Sequence, residues 1–180
     1  IRQAYHSGTE QVIGMGGDGT NHSIVNALIR IGEQESATKI PAFGTLPLGT
    51  GRDWARSRGI PFKLESAVNW IVNATPKPTD VGLLHLNDEK RYFLNIASAG
   101  LGGEVDAKVN QVINRRPWTF LKATVQAMLT YDPQQVQIKL DGESWYEGKS
   151  LVAVVANGTT FGHGMIIAPN AKIDDGVFDV

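Results

Sequence analysis

Short apolar runs alternate with helical periods over the first third of the chain. Gln11–Met15 reads as a short strand, and Gly14–Gly19 as the glycine-rich turn that follows it. Ile24, Val25, Leu28, Ile29 and Ile31 then recur at helical spacing, which predicts an amphipathic helix running to about Gly32. Ile40–Leu46 reads as a second strand, ended by Pro47 and a second glycine turn, Gly49-Thr50-Gly51. Leu64, Ala67, Val68 and Ile71 mark another helix, closed by Pro76 and Pro78. This β-α-β-α order is the pattern of a parallel sheet covered by helices.

The pattern changes from Thr79 onward. Val81–Leu86 and Tyr92–Ala97 read as strands joined across Asn87-Asp88, and one long helix is expected over Trp118–Leu129, with Pro117 at its start. Val136–Leu140, Leu151–Ala156, Met165–Ala168 and Val177–Val180 are further strand candidates, separated by Asp141-Gly142, Asn157-Gly158 and Asp175-Gly176. Such spacing predicts an antiparallel sheet or sandwich. The shift near residues 75–80 sets the expected boundary, with an α/β part at 1–78 and a β-rich part at 79–180.

Composition narrows the function classes. The chain has 180 residues, 42% of them hydrophobic and 19% charged, values of a globular chain with a core rather than a disordered one. With 17 Lys+Arg against 18 Asp+Glu the net charge is -1, which lacks the electrostatic footprint of a nucleic-acid binder. No Cys is present, so disulfides, thiolate zinc sites and cysteine nucleophiles are excluded, and a reducing compartment fits. No apolar run approaches the ~20 residues that span a bilayer, and no signal peptide opens the chain. The chain starts at Ile1 without a Met and stops at Val180 inside an expected strand, so a piece truncated at both ends is expected.

The chemistry concentrates in two glycine loops. Gly14-Met15-Gly16-Gly17-Asp18-Gly19 has the letters of the dinucleotide fingerprint, but no acid ends the next strand at Leu46-Pro47-Leu48, and no G-K-[ST] of a Walker A loop follows. Glycines admit phosphate close to the backbone, and the helix start near Asn21 offers free N–H groups and a positive dipole end. Thr20 and Ser23 add hydroxyls, and Asp18 belongs beside a Mg²⁺ that neutralises the phosphates; a bare strand-to-helix turn capped by Asp18 is the plainer alternative. Leu46-Pro47-Leu48-Gly49-Thr50-Gly51-Arg52-Asp53 repeats the design, although Asp53 alone would read as an N-cap. Two such loops at the carboxyl ends of neighbouring strands mark the crevice where open α/β sheets bind ligands.

Gly16-Gly17-Asp18-Gly19-Thr20 followed by Ile24-Val25-Asn26-Ala27-Leu28 resembles the nucleotide loop of the diacylglycerol kinase catalytic domain family, which includes bacterial lipid kinases, sphingosine kinases and ceramide kinases. Leu46 to Arg56 is similar to its second motif; Asn157-Gly158, Gly162-His163-Gly164-Met165 and Ala168 to Gly176 are similar to its third. The resemblance runs along nearly the whole chain in the right order. The first motif is shared with NAD kinases and phosphofructokinases; the second and third together are specific. It implies a Rossmann-like, phosphofructokinase/NAD kinase-like α/β domain followed by an antiparallel β-sandwich.

It also implies an ATP-dependent lipid kinase that passes the γ-phosphate of Mg-ATP to a diacylglycerol-like hydroxyl. The implied setting is cytoplasmic and peripheral to a membrane that presents the lipid, with no transmembrane segment and no nucleic acid, and a homodimer is admitted. By resemblance Gly16, Gly17, Asp18, Gly19, Thr20, Asn21, His22, Ser23 and Thr50 line the ATP site. Asp18, Asp53 and Asp80 form a water-linked acidic network for catalytic Mg²⁺, and a structural Mg²⁺ takes the Asp175 carboxylate with the carbonyls of Lys172 and Val177. Without the family, Asp80 reads as a turn residue and Asp175-Gly176 as a plain turn.

The chain departs from the family pattern at Arg52, usually Asn, at Ser23, usually Glu, and at His163, where Gly is common. Asp141-Gly142-Glu143 has the letters of the family's general-base motif but precedes the third motif, so it reads as a hairpin turn and the base is expected beyond Val180. Two other classes stay open: a kinase of the same loop type acting on a soluble substrate such as NAD, and a non-catalytic nucleotide-binding module. The four His are scattered and predict no metal cluster. Arg115-Arg116-Pro117-Trp118 reads as a solvated loop rather than a membrane-surface segment.

Overall fold

Strands β1 (Gln11–Gly16) and β2 (Ala42–Pro47) pair in parallel, with Gly16 opposite Pro47. Parallel partners need a crossover. Here it contains helix α2 (Asp18–Gln34), which buries Asn21, Val25, Asn26, Leu28, Ile31 and Gly32 along one stripe. The computed structural model describes residues 1–100 and 130–180. They divide into two compact units, Ile1–Ile96 with Ala156–Asp179, and Ala97–Val155 with Val180.

In the first unit Val25 packs with Trp54, Leu94 and Ile173. A second cluster joins Leu46, Ala55, Ile60 and Ala67, the last from helix α4 (Leu64–Asn73). Helix α3 (Asp53–Ser57) lies between them in the chain, and a short helix α1 (Arg2–His6) precedes β1. Two buried polar residues of α2 are bonded outward. Asn21 Oδ1 accepts the Thr45 hydroxyl at 2.8 Å, and Asn26 donates to Tyr92 O at 2.8 Å while accepting Tyr92 N–H at 2.9 Å. Asn26 thereby pairs with a strand residue as another strand would, meeting the rule that buried polar groups find partners.

The remaining strands are short. β3 (Gly82–Leu86) and β4 (Glu89–Phe93) form an antiparallel hairpin, and β5 (Ile96–Gly100) pairs with β8 (Val152–Ala156). β6 (Gln134–Leu140) and β7 (Glu143–Ser150) make a second hairpin, turned by Asp141 at φ +50° and Gly142 at φ +87°. Both values are positive, as a two-residue hairpin turn of matching twist requires. β9 (Thr160–Phe161) and β10 (Met165–Ile166) close a small antiparallel pair.

Four sequence expectations change. α2 begins at Asp18, earlier than the apolar spacing indicates, because Gly17 takes the extended N-cap position. The run Tyr92–Ala97 is two strands; it breaks because Asn95 O accepts Asn157 N–H and Gly158 N–H, at 2.8 and 2.9 Å. Val177–Val180 is no strand: Val177 N–H goes to the Asp175 carboxylate, and only Asp179 bridges Ala156. The strand expected over Met165–Ala168 covers two residues, since Ile167 and Ala168 donate to Thr159 O. The helix expected over Trp118–Leu129 lies outside the described residues.

Candidate functional site

The two glycine loops press against each other at the ends of β1 and β2. Leu48 and Gly49 both donate N–H to Gly16 O, at 2.9 and 3.1 Å. A methyl group on Gly49 would collide with the Gly17 backbone, and one on Gly17 would stand 3.1 Å from Gly49 Cα. The glycines are therefore required for backbone-to-backbone approach.

Asp18 leaves its own loop to organise the second. Its Oδ1 accepts Trp54 N–H at 3.0 Å and its Oδ2 accepts Asp53 N–H at 3.2 Å. Helix α3 gets no side-chain cap from its own N-cap residue, Arg52, so Asp18 supplies from a distance what an N-cap side chain supplies locally.

Asp53, only 8% exposed, is held in turn by the loop that follows β9. Its Oδ1 accepts Gly164 N–H at 2.7 Å and its Oδ2 accepts His163 N–H at 3.0 Å. Arg56 lies 3.4 Å from Oδ1 and also bonds Gly51 O. Burial pushes the Asp53 pKa up; the His163 N–H opposes this, the charge of Asp18 adds to it, and Gly164 N–H and Arg56 oppose it. The two carboxylates converge over Gly51: a methyl placed there would lie 2.8 Å from Asp18 Oδ2 and 3.5 Å from Asp53 Oδ2.

Asp80 is placed against the turn after Ile173. Its N–H donates to Ile173 O at 2.7 Å, its carbonyl accepts Asn157 Nδ2 at 2.8 Å, and its Oδ2 accepts Gly176 N–H at 2.7 Å. On that turn Asp175 Oδ1 accepts Val177 N–H at 3.3 Å, Gly176 has φ +78°, and Lys172, Asp175 and Val177 are exposed. The structure thus joins Asp18 to Asp53, and Asp80 to the Asp175 turn.

The other expected site residues divide. The Thr20 side chain lies over Gly16, Ser23 Oγ donates back to Gly19 O at 3.0 Å, and Gly19 and Thr50 are exposed. Asn21 Oδ1 is taken by the Thr45 hydroxyl, and its backbone N–H donates to Gly17 O at 3.1 Å. His22 Nδ1 sits 3.4 Å from Asn26 Nδ2. Arg52 at φ +59° and His163 at φ +70° both adopt left-handed backbone, on either side of Asp53.

Three polar residues that brace this site carry little or no sequence signal. Ser57 Oγ donates to Asn95 Oδ1 at 3.1 Å and accepts Thr159 N–H at 3.1 Å, while Asn95 Nδ2 donates to Thr160 O at 2.7 Å. Ser57 and Asn95 stand singly, with no spacing to betray them. Asn157, fully buried, donates to Asp80 O and Leu94 O, and its Oδ1 has no partner among the described residues. Its Asn-Gly pair was the one visible cue.

Comparisons with known proteins match both parts of the chain. Residues 1–84 match the model of the diacylglycerol kinase catalytic domain, and residues 95–180 match that of the YegS C-terminal NAD kinase beta sandwich-like domain. The two parts of the chain thus resemble the two domains that these models describe. It is 33% identical to a probable lipid kinase YegS-like of Enterobacter sp. (strain 638) and 30% identical to a probable lipid kinase YegS of Salmonella typhimurium, each over 182 aligned positions. All of this chain aligns in both cases, and it spans 58% of the length of these relatives. A solved structure of a putative diacylglycerol kinase from Bacillus anthracis superimposes with a TM-score of 0.70 at 27% identity, covering 94% of this chain and 55% of the other. Another diacylglycerol kinase structure from that organism gives 0.70 at 26% identity, covering 98% and 55%. Among the described residues no helix is long and apolar enough to cross a membrane.

Proposed function

We propose that this chain binds Mg-ATP at the Gly16–Thr20 and Gly49–Gly51 loops and serves transfer of the γ-phosphate to a lipid hydroxyl. In this reading residues 1–78 are the nucleotide part and residues 79–180 the lipid-kinase part. The observation that carries it is the convergence of Asp18 and Asp53 over Gly51.

The donor set suits Mg²⁺. Each oxygen of the two carboxylates accepts one backbone N–H, and a carboxylate oxygen has roughly two acceptor sites; Arg56 Nη1 takes the second on Asp53 Oδ1, so capacity remains on the other three. Hard oxygens on two acids, with water completing the sphere, are the ligands Mg²⁺ prefers. When bound, the metal neutralises charge on the phosphates. The chain's own part is to position: loop N–H groups and the Thr20 and Thr50 hydroxyls orient the phosphates, while the N–H clamps of His163 and Gly164 hold Asp53 in place. Asp141 is a hairpin turn residue and is assigned no role as base.

The lipid acceptor is supported by the names of the relatives aligned over the whole chain. At the Asp175 turn no three or more His, Asp or Glu side chains gather among the described residues. A structural Mg²⁺ there would draw on the Asp175 carboxylate, the Lys172 and Val177 carbonyls and water.

The test is incubation of the protein with γ-labelled ATP and, separately, vesicles containing diacylglycerol, a bacterial lipid extract, or NAD. Labelled lipid that disappears in Asp18→Ala is expected. Label on NAD with none on lipid would overturn the acceptor, and ATP binding without transfer to any acceptor would leave a nucleotide-binding module.

A further inference from the structure

The face of α2 that leads away from the glycine loop carries His22, Asn26 and Arg30, four residues apart and therefore in line along the helix. β4 lies against this line. Asn26 is bonded to both backbone groups of Tyr92, and Arg30 Nη2 donates to Lys90 O at 2.9 Å. An open groove of about 650 Å³ runs between the two elements, bordered by His22, Asn26, Arg30, Glu89, Lys90 and Arg91. Three permanent cations face one carboxylate there.

Arg30 and Arg91 border the groove from the helix and the strand respectively. The pKa of His22 is lowered by burial first, then by the charges of Arg91 and Arg30. Among the described residues Arg91 is engaged by Glu89 alone, at 2.7 Å, in an exposed pair. Exposed pairs of this kind are weak and give way to a better anion. Arg30 spends one donor on Lys90 O, and a guanidinium has five. None of the three cations is bonded to Asp18 or Asp53 among the described residues.

We propose that this groove binds a phosphate-class oxyanion, supplied either as free phosphate or as the phosphomonoester headgroup of a lipid. Two forked guanidiniums from two elements, bordering one groove, suit such an anion better than they suit a carboxylate or a neutral ligand. The site goes beyond the nucleotide reading, which uses the loop end of the same helix.

The experiment titrates the full chain with inorganic phosphate by calorimetry, and with phosphatidylcholine vesicles lacking or containing phosphatidic acid by sedimentation. A saturating non-hydrolysable ATP analogue is present throughout, so that phosphate captured by the nucleotide loops is not counted. Saturable binding is expected. Arg91→Gln and Arg30→Gln should each weaken it about tenfold, the loss of roughly one charge-assisted hydrogen bond. Glu89→Gln should strengthen it several-fold, a gain that a misfolded variant cannot produce. Response to phosphate identifies a free-anion site, and response to phosphatidic acid vesicles alone identifies a headgroup site; either sustains the proposal. Absence of saturable binding to both probes overturns it, as does binding that all three variants leave unchanged. If the ATP analogue itself fails to bind while phosphate does, the nucleotide reading falls and this one stands.

Discussion

The carboxylate of Asp18 holds the backbone N–H of Asp53, 35 residues along the chain, at 3.2 Å. One side chain thus closes the glycine loop of β1 onto the first turn of α3 and brings its own charge within reach of the second acid. Structure and chemistry share the same oxygen atoms.

These two duties separate by substitution. Asp18→Asn keeps one acceptor for α3 but removes the charge; Asp18→Ala removes both. Losing a cap costs about 0.5–2 kcal/mol. Thermal unfolding should therefore rank wild type above Asp18→Asn and Asp18→Ala lowest, while Mg-ATP binding is lost equally in both. Wild-type Mg-ATP affinity in Asp18→Asn would reduce Asp18 to a cap.

Asp53 predicts a pH dependence whose sign follows from burial. Its native pKa lies above the ordinary 3.8, so between the two values the folded state keeps a proton that the unfolded chain has released. The native state then binds more protons, and stability falls as pH rises through that window. Denaturant unfolding stepped from about pH 4 to about pH 7 should show this slope in the wild type and a flatter one in Asp53→Asn. Mg²⁺ favours the ionised acid, so adding it should restore stability at the upper end and not at the lower. Identical slopes in both proteins would mean that Asp53 titrates normally.

The loop glycines differ in what they protect. A methyl on Gly49 meets the Gly17 backbone, which cannot swing aside, whereas a methyl on Gly51 meets the Asp18 carboxylate. Gly49→Ala should lose about 1–3 kcal/mol of stability, the usual cost of overpacking. Gly51→Ala should fold nearly as well but bind Mg²⁺ and nucleotide poorly, because its methyl displaces an oxygen. Equal melting of the two variants would show that the loops do not pack as described.

The parallel pair and its crossover were legible because apolar spacing and glycines mark them without competition. Asp141-Gly142 was legible for a similar reason, since the pair suits positive φ at both positions. Ser57, Asn95 and the split of Tyr92–Ala97 were not. They depend on hydrogen bonds to residues 159–160 and 157–158, and partners that distant leave no local period. The departures at Arg52 and His163 were visible as letters, yet their meaning is conformational: both sit at left-handed φ, where Asn or Gly is cheaper. Arg52 is retained with a bond from its Nε to Gly49 O at 2.7 Å.

That strain is measurable. Arg52→Ala and Arg52→Gly both lose the bond to Gly49, but only alanine keeps a Cβ in the left-handed region. The glycine variant should be the more stable of the two by about 1 kcal/mol, read from denaturant midpoints at constant slope. The reverse order would show that residue 52 relaxes out of this conformation.

The last prediction concerns the turn that Asp80 and Asp175 share. Asp80 Oδ2 binds Gly176 N–H at 2.7 Å and Asp175 Oδ1 binds Val177 N–H at 3.3 Å, so the turn is held by protein groups before any metal is considered. Gly176 at φ +78° lets the chain reverse so that both amides meet carboxylates. A Mg²⁺ that binds only the folded form adds stability by mass action, about 2.7 kcal/mol at a hundredfold excess over its dissociation constant. The roles of the two acids then part. Asp80→Asn should lower the melting temperature by a similar amount at every Mg²⁺ concentration, because it weakens the turn itself. Asp175→Ala should instead abolish the rise of melting temperature with Mg²⁺, while Mg-ATP affinity changes less than in Asp18→Ala. Asp174→Ala, altering an exposed neighbour outside the expected ligand set, serves as the control and should keep the Mg²⁺ response. A wild-type Mg²⁺ titration curve in Asp175→Ala would make the site a plain turn and remove the second metal.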